Sequence, residues 1–151
     1  MFVTEININI DTLKIHAQCM QLCKKLGSPQ QIALQSITGN DDWSSGTGTK
    51  QSAHEYCVLN RSLANTYLAE LIHRFPDYYR WRILTLTPRS SYTVHRDGRD
   101  GTNTRIHIPV QTNDHSWLQF YQAQPKEAEP VSVVHHKLKI GRVYKVDTTN
   151  Y

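Results

Sequence analysis

From Tyr78 to Asp147 the chain is a succession of short segments in which polar and apolar residues alternate. A period of two places successive side chains on opposite faces of an extended strand. Tyr79, Trp81, Ile83 and Leu84 to Leu86 fill the first such segment, and Pro88 stops it. Arg80 and Arg82 fall on the face opposite Trp81, where they either line a pocket or are solvated, and the solvated reading is preferred. Tyr92 and Val94 lead to His95; Arg105 to Gln111 is the next strand. Pro109 inside it calls for a bulge or a sheet edge, since proline cannot donate to a ladder. Trp117, Gln119 and Tyr121 alternate with Leu118 and Phe120. Val131 to His136 and Gly141 to Asp147 read as two last strands around a turn region at Lys137-Leu138-Lys139.

Ahead of these strands the period changes. Ile6, Ile8 and Ile10 still alternate with asparagines, so residues 2 to 10 read as a strand. Asp11 or Thr12 then caps a helix whose apolar positions are Ile15, Cys19, Leu22, Cys23 and Leu26, a helical spacing. Gly27 and Pro29 stop it. Ile32 to Ile37 is a short strand candidate, and residues 39 to 52 are a loop rich in Gly, Asn, Asp and Ser. Trp43 within it is either an anchor to the core or a lid residue over a pocket. Asn60 is placed to cap a second helix with the stripe Leu63, Tyr67, Leu68, Leu71, Ile72 and Phe75, ended by Pro76. Two helices and at least six strands predict an α+β chain, mainly β, built on a sandwich or barrel. We expect a single domain over residues 1–151, with a strand/helix region at 1–77 and a β core at 78–151.

Composition sets bounds. The 151 residues are 38% hydrophobic with a mean hydropathy of -0.56, enough for a modest core. The net charge of +4 and a pI near 9.0 suit an anionic small molecule or an acidic partner. No run of Lys or Arg accompanies that charge, so nucleic-acid binding is not expected. Cys19, Cys23 and Cys57 are an odd count, which argues against a disulfide framework, and the first two read as small residues on a buried helix face. No apolar run approaches the ~20 residues of a membrane helix, and no signal peptide is visible. A cytoplasmic location without membrane attachment is the expectation.

The chemistry-bearing types gather around residue 95. In His95-Arg96-Asp97 an imidazole and a carboxylate are two positions apart, on one side of an extended segment, where both can reach one metal ion. A two-His, one-carboxylate set with open positions suits non-haem Fe(II) oxygenases. On the following strand Arg105 and His107 share a face. The order Leu86-Thr87-Pro88, Tyr92-Thr93-Val94-His95-Arg96-Asp97 and Arg105-Ile106-His107-Ile108-Pro109-Val110-Gln111-Thr112-Asn113 resembles the aspartyl/asparaginyl β-hydroxylase family. That resemblance implies a double-stranded β-helix (a cupin-like jelly roll) with the two N-terminal helices packed on it. It implies a 2-oxoglutarate- and Fe(II)-dependent dioxygenase, an oxidoreductase that hydroxylates an amino acid or a peptidyl Asp/Asn-type substrate. His95 and Asp97 would be catalytic metal ligands, and Arg105 and His107 would hold the co-substrate.

The family's second metal His and its later Arg follow a strand like Gly141 to Asp147, and the chain stops at Tyr151 about where that His belongs. The expectation is therefore a truncated last strand, weak metal binding and little turnover, with His115, His135 or His136 as substitute ligands. Because His135 and His136 are adjacent on a strand, one of them must point inward. A jelly roll lacking its last strand leaves an open edge and predicts a homodimer. The competing reading is a non-catalytic jelly-roll module that binds a small anion or a protein partner through Arg96, Arg99 and Arg105.

Overall fold

The computed structural model describes residues 2–47, 52–91, 104–121 and 132–147. In chain order they form β1 (Val3–Ile6), α1 (Thr12–Lys25), β2 (Gln31–Ala33), β3 (Gln35–Ser36), β4 (Val58–Leu59), α2 (Tyr67–His73), β5 (Arg82–Leu84), β6 (Thr104–His107), β7 (Leu118–Tyr121), β8 (Ser132–His136) and β9 (Val143–Asp147). Two single 3-10 turns, Ala53–Glu55 and Arg61–Leu63, flank β4. The contacts divide the chain into two compact units, Leu13–Tyr92 and a discontinuous one made of Met1–Thr12 with Thr93–Tyr151.

In the Leu13–Tyr92 unit, α1 buries Ile15, Cys19, Leu22 and Cys23. It ends at Gly27, whose φ of 75° is left-handed. There the Ser28 amide donates to Cys23 O at 2.7 Å, which satisfies a last-turn carbonyl. Burial, with Cys23 as the second cause, pushes the Cys19 thiol from 9.0 up to about 12, so this thiol is unreactive at neutral pH. The α2 helix is short because its cap is Thr66, whose hydroxyl accepts from Ala69 N. Gln18 of α1 accepts from Leu68 N at 2.9 Å and satisfies a second first-turn donor. Two small antiparallel pairs complete the unit: β2 with β5, in which Ile32 faces Ile83, and β3 with β4. Ile32 and Tyr56 are essentially fully buried. Truncating such an Ile to Ala costs about 2–5 kcal/mol.

Asn60 does precede a helical turn, but its side chain makes no cap bond. It is 0% exposed, and its amide donates to Ala33 O at 3.0 Å and to Asp42 O at 3.4 Å while accepting from Ser36 Oγ at 2.8 Å. Ser36 Oγ in turn accepts from Gly39 N at 2.8 Å. The polar amide is tolerated in the core because each of these groups has a partner. The expected strand from Tyr79 shortens to Arg82–Leu84, since Arg80 takes a left-handed φ of 60° that an extended strand cannot contain.

In the second unit β1, β9 and β6 form an antiparallel sheet in that order, with Val3 opposite Val146 and Arg105 opposite Val146 on the other side. A separate ribbon pairs β7 with β8. Val3, Phe120, Tyr144 and Val146 form the buried cluster, with Phe2, Leu118, Val134 and Leu138 packed against it. The Phe2 and Phe120 rings lie 5.3 Å apart. The β6 strand stops at His107, two residues before Pro109, and lies at an edge among the described strands.

The double-stranded β-helix is therefore corrected. The described strands form one three-stranded and three two-stranded antiparallel sheets, and none of them closes into a barrel. The architecture is α+β with small sheets and two helices. The two helices belong to a unit with its own strand pairs and do not decorate a jelly roll. Period-two patterning identified which segments are extended; it carries no information on which strand pairs with which.

Candidate ligand-binding face

His95 and Asp97 lie outside the described residues, as do Arg96 and Arg99. Arg105 and His107 are brought together as their alternation requires, on the face of β6 that Val146 and Tyr144 share. The substitute ligands do not converge. His115 sits in an exposed turn, where its amide donates to Asn113 Oδ1 at 2.8 Å. His135 lies opposite Gln119 and His136 opposite Leu118, so the two imidazoles take opposite faces of the ribbon. Among the described residues no group of three or more His, Cys, Asp or Glu could hold a metal ion. Trp43 belongs to a turn tied down by its own carbonyl, which accepts from Ala33 N at 2.7 Å, and its ring lies 6.0 Å from the Lys25 ammonium.

What the second unit does build is a polar, aromatic surface on the outer side of the β7–β8 ribbon. Leu118 and Phe120 point into the core cluster, so Trp117, Gln119 and Tyr121 must point out. His135 is paired with Gln119, and Lys137 follows one pleat further along. Trp117 is 52% exposed, large for an indole. The Tyr121 hydroxyl donates to Gln119 Oε1 at 2.7 Å, and Gln119 Nε2 lies 3.2 Å from His135 Nδ1. With Oε1 occupied by the phenol, the amide N–H is the group left to donate to Nδ1. The His135 ring meets Trp117 edge-on at 6.4 Å and 86°.

A charge pair closes the end of the row. Lys137 Nζ lies 2.6 Å from Asp114 Oδ1 and 5.9 Å from the centre of the Trp117 ring. The hydrogen bond from Lys137, and then its charge, hold the Asp114 carboxyl below the usual carboxylate range. The face thus combines an exposed indole, a phenol, an amide and an imidazole already linked to one another, and an ion pair that leaves it without net charge. Alternation in Trp117 to Tyr121 was the signal for it, although the sequence does not reveal that the outward set is hydrogen-bonded across the ribbon. A depression of about 310 Å³ in the other unit is lined by Ser28, Gln30, Thr85, Thr87 and Ser90, with no acid or base among these described lining residues.

The chain matches no protein-family model and is similar to no curated protein. Together with the open sheets and the missing ligand cluster among the described residues, this overturns the resemblance to aspartyl/asparaginyl β-hydroxylases. The dioxygenase activity, the Fe(II) centre and the 2-oxoglutarate co-substrate read from it are corrected accordingly. No helix among the described residues is long and apolar enough to cross a membrane.

Proposed function

We propose that this chain is a non-enzymatic binding module that docks a neutral saccharide on the outer face of the β7–β8 ribbon. The observation that carries the reading is Trp117, exposed and flat beside a pre-connected row of hydrogen-bonding side chains. The C–H face of a sugar ring is apolar with slightly positive hydrogens, which suits the negative face of an indole. Its hydroxyls both donate and accept, which suits Gln119, His135, Tyr121 and the Lys137–Asp114 pair.

Size and charge favour a small neutral ligand over the alternatives. Five residues at ~3.4 Å each by two strands give a footprint of roughly 170 Å². A standard protein interface, a homodimer included, needs about 800 Å² per partner. A nucleic acid needs several unpaired Lys or Arg for its phosphates, and among the described residues of this face Lys137 already faces a carboxylate. A single platform of this kind predicts a Kd of about 0.1–1 mM, or roughly −4 to −5.5 kcal/mol.

The test is an NMR titration of the intact chain with neutral gluco-, manno-, galacto- and chito-oligosaccharides. Support is a saturable shift of the Trp117 indole N–H and of the β7 and β8 amides, abolished by Trp117→Ala. Silence across the panel removes the proposal. Shifts produced instead by a single-stranded oligonucleotide at low salt transfer the face to a nucleic-acid reading.

A further inference from the structure

The other unit contains a pair of guanidiniums with an unusual bond pattern. Arg80 Nη2 and Arg82 Nη2 both donate to the carbonyl of Gly46, the second at 3.4 Å and the first at closer range. Arg82 Nη1 also donates to Gln31 Oε1 at 2.6 Å. The Arg80 guanidinium lies over the Tyr56 ring at 5.4 Å. Arg80 Nε is buried and has no hydrogen-bond partner among the described residues.

Nε–H and Nη2–H form one edge of the guanidinium, a fork whose two parallel donors match two oxygens on one anion. Here that edge holds a single carbonyl oxygen and is half used. A buried donor without an acceptor is costly, about 1–3 kcal/mol, and rare enough to require a cause. The carbonyl is also neutral, and Arg80 forms no ion pair among the described residues. A two-oxygen anion at the position of the carbonyl would take both donors of the Arg80 fork and the Nη2 of Arg82. Gly46 stands directly in the way. A Cβ built on it would lie 3.1 Å from Arg80 Nε and 3.2 Å from Arg82 Nη2. The carbonyl and the anion therefore compete for the same donors.

We propose that Arg80 and Arg82 form a receptor for a phosphate-type oxyanion, with the Gly46 carbonyl as its internal competitor. Binding displaces the turn of residues 42–47, which is otherwise held together by the Ser45 amide donating to Asp42 O and the Thr47 amide donating to Ser44 O. The site is independent of the β7–β8 face, and neither proposal rests on the other.

The experiment titrates the intact chain with inorganic phosphate against sodium chloride at matched ionic strength, followed by NMR and amide hydrogen exchange. The expected result is a saturable shift of the Arg80 Nε–H resonance at millimolar phosphate, with faster exchange at Ser45 and Thr47. Arg82→Gln, which leaves Arg80 in place, should weaken the apparent affinity about tenfold or more; Arg82→Lys, should the Gln variant not fold, should weaken it less. A second arm uses phosphoserine: tighter binding than inorganic phosphate identifies a phosphomonoester as the source, and equal binding identifies the free ion. Equal responses to phosphate and chloride, or undiminished affinity in both Arg82 variants, overturn the proposal.

Discussion

Each unit contains an amide hub that receives a hydroxyl proton and passes its own protons on, and the two hubs have opposite surroundings. In one unit Asn60 accepts from Ser36 and donates to Ala33 and Asp42 with no solvent exposure. In the other Gln119 accepts from Tyr121 and contacts His135 on an exposed strand face. The bonds are chemically alike. Water can replace those of Gln119 at little cost, whereas the Ala33 carbonyl and the Ser36 hydroxyl beside the buried Asn60 would lose a partner where solvent does not reach. The same side-chain chemistry is therefore architecture in the first place and an available recognition surface in the second.

The sharpest way to break that contrast is Asn60→Ala. It orphans the Ala33 carbonyl and takes the acceptor from the Ser36 hydroxyl in the core, and should remove about 3 kcal/mol in urea unfolding. A loss below about 1 kcal/mol would place water inside the network and erase the distinction. Next is Gly39→Ala, beside the same hub. Gly39 has a φ of 73°, and a Cβ there would meet Val58 Cγ1 at 2.7 Å and Leu59 O at 2.9 Å. About 2 kcal/mol is expected from the combined clash and left-handed backbone. Gly27→Ala is its control: φ is 75° but nothing lies within 4 Å, so the loss should stay near 1 kcal/mol.

A smaller effect comes from Asp41. The hydroxyl and amide of Ser62 both donate to its carboxylate and hold it below the usual carboxylate range. A depressed folded-state value gives stability that is present above the free-Asp value of ~3.9 and lost as pH falls through the lowered one. Asp41→Asn should therefore lower the melting temperature slightly at neutral pH and converge with the parent at low pH, which flattens the acid limb of the profile. Smallest of all in stability is Gln119→Ala, within ~0.5 kcal/mol. Its effect should appear in saccharide affinity, which we expect to drop about tenfold. A large stability loss there would make the ribbon face structural, like the hub around Asn60.

Much of the local structure is legible in the residue pattern. Ile15, Cys19, Leu22 and Cys23 mark the buried side of α1 before any contact is known, and Leu118 and Phe120 mark the inner side of β7. Pairing is not legible, because Val3 opposite Val146 and Ile32 opposite Ile83 are matches between distant segments with no local signature. The Arg80–Arg82 pair is only half legible, for a different reason. Alternation put both arginines on one face, lining a pocket or solvated with the second preferred, but the left-handed φ of Arg80 turns its side chain out of that alternation and against Tyr56 and Gly46. Asn60 is missed: a good capping residue at a helical start has its amide drawn inward by deeper partners.

The pairing of β1 with β9 has a consequence for biosynthesis. Thr4 and Glu5 find their backbone partners only in Lys145 and Tyr144, nearly the whole chain later. During translation the Leu13–Tyr92 unit has all its strands and both helix bodies in hand while β1 still trails unpaired. Loop closure over so long a span is slow. The Leu13–Tyr92 unit is therefore expected to form first, with β1 captured only once β9 exists, and until then the unpaired edge of β1 is open to other strands.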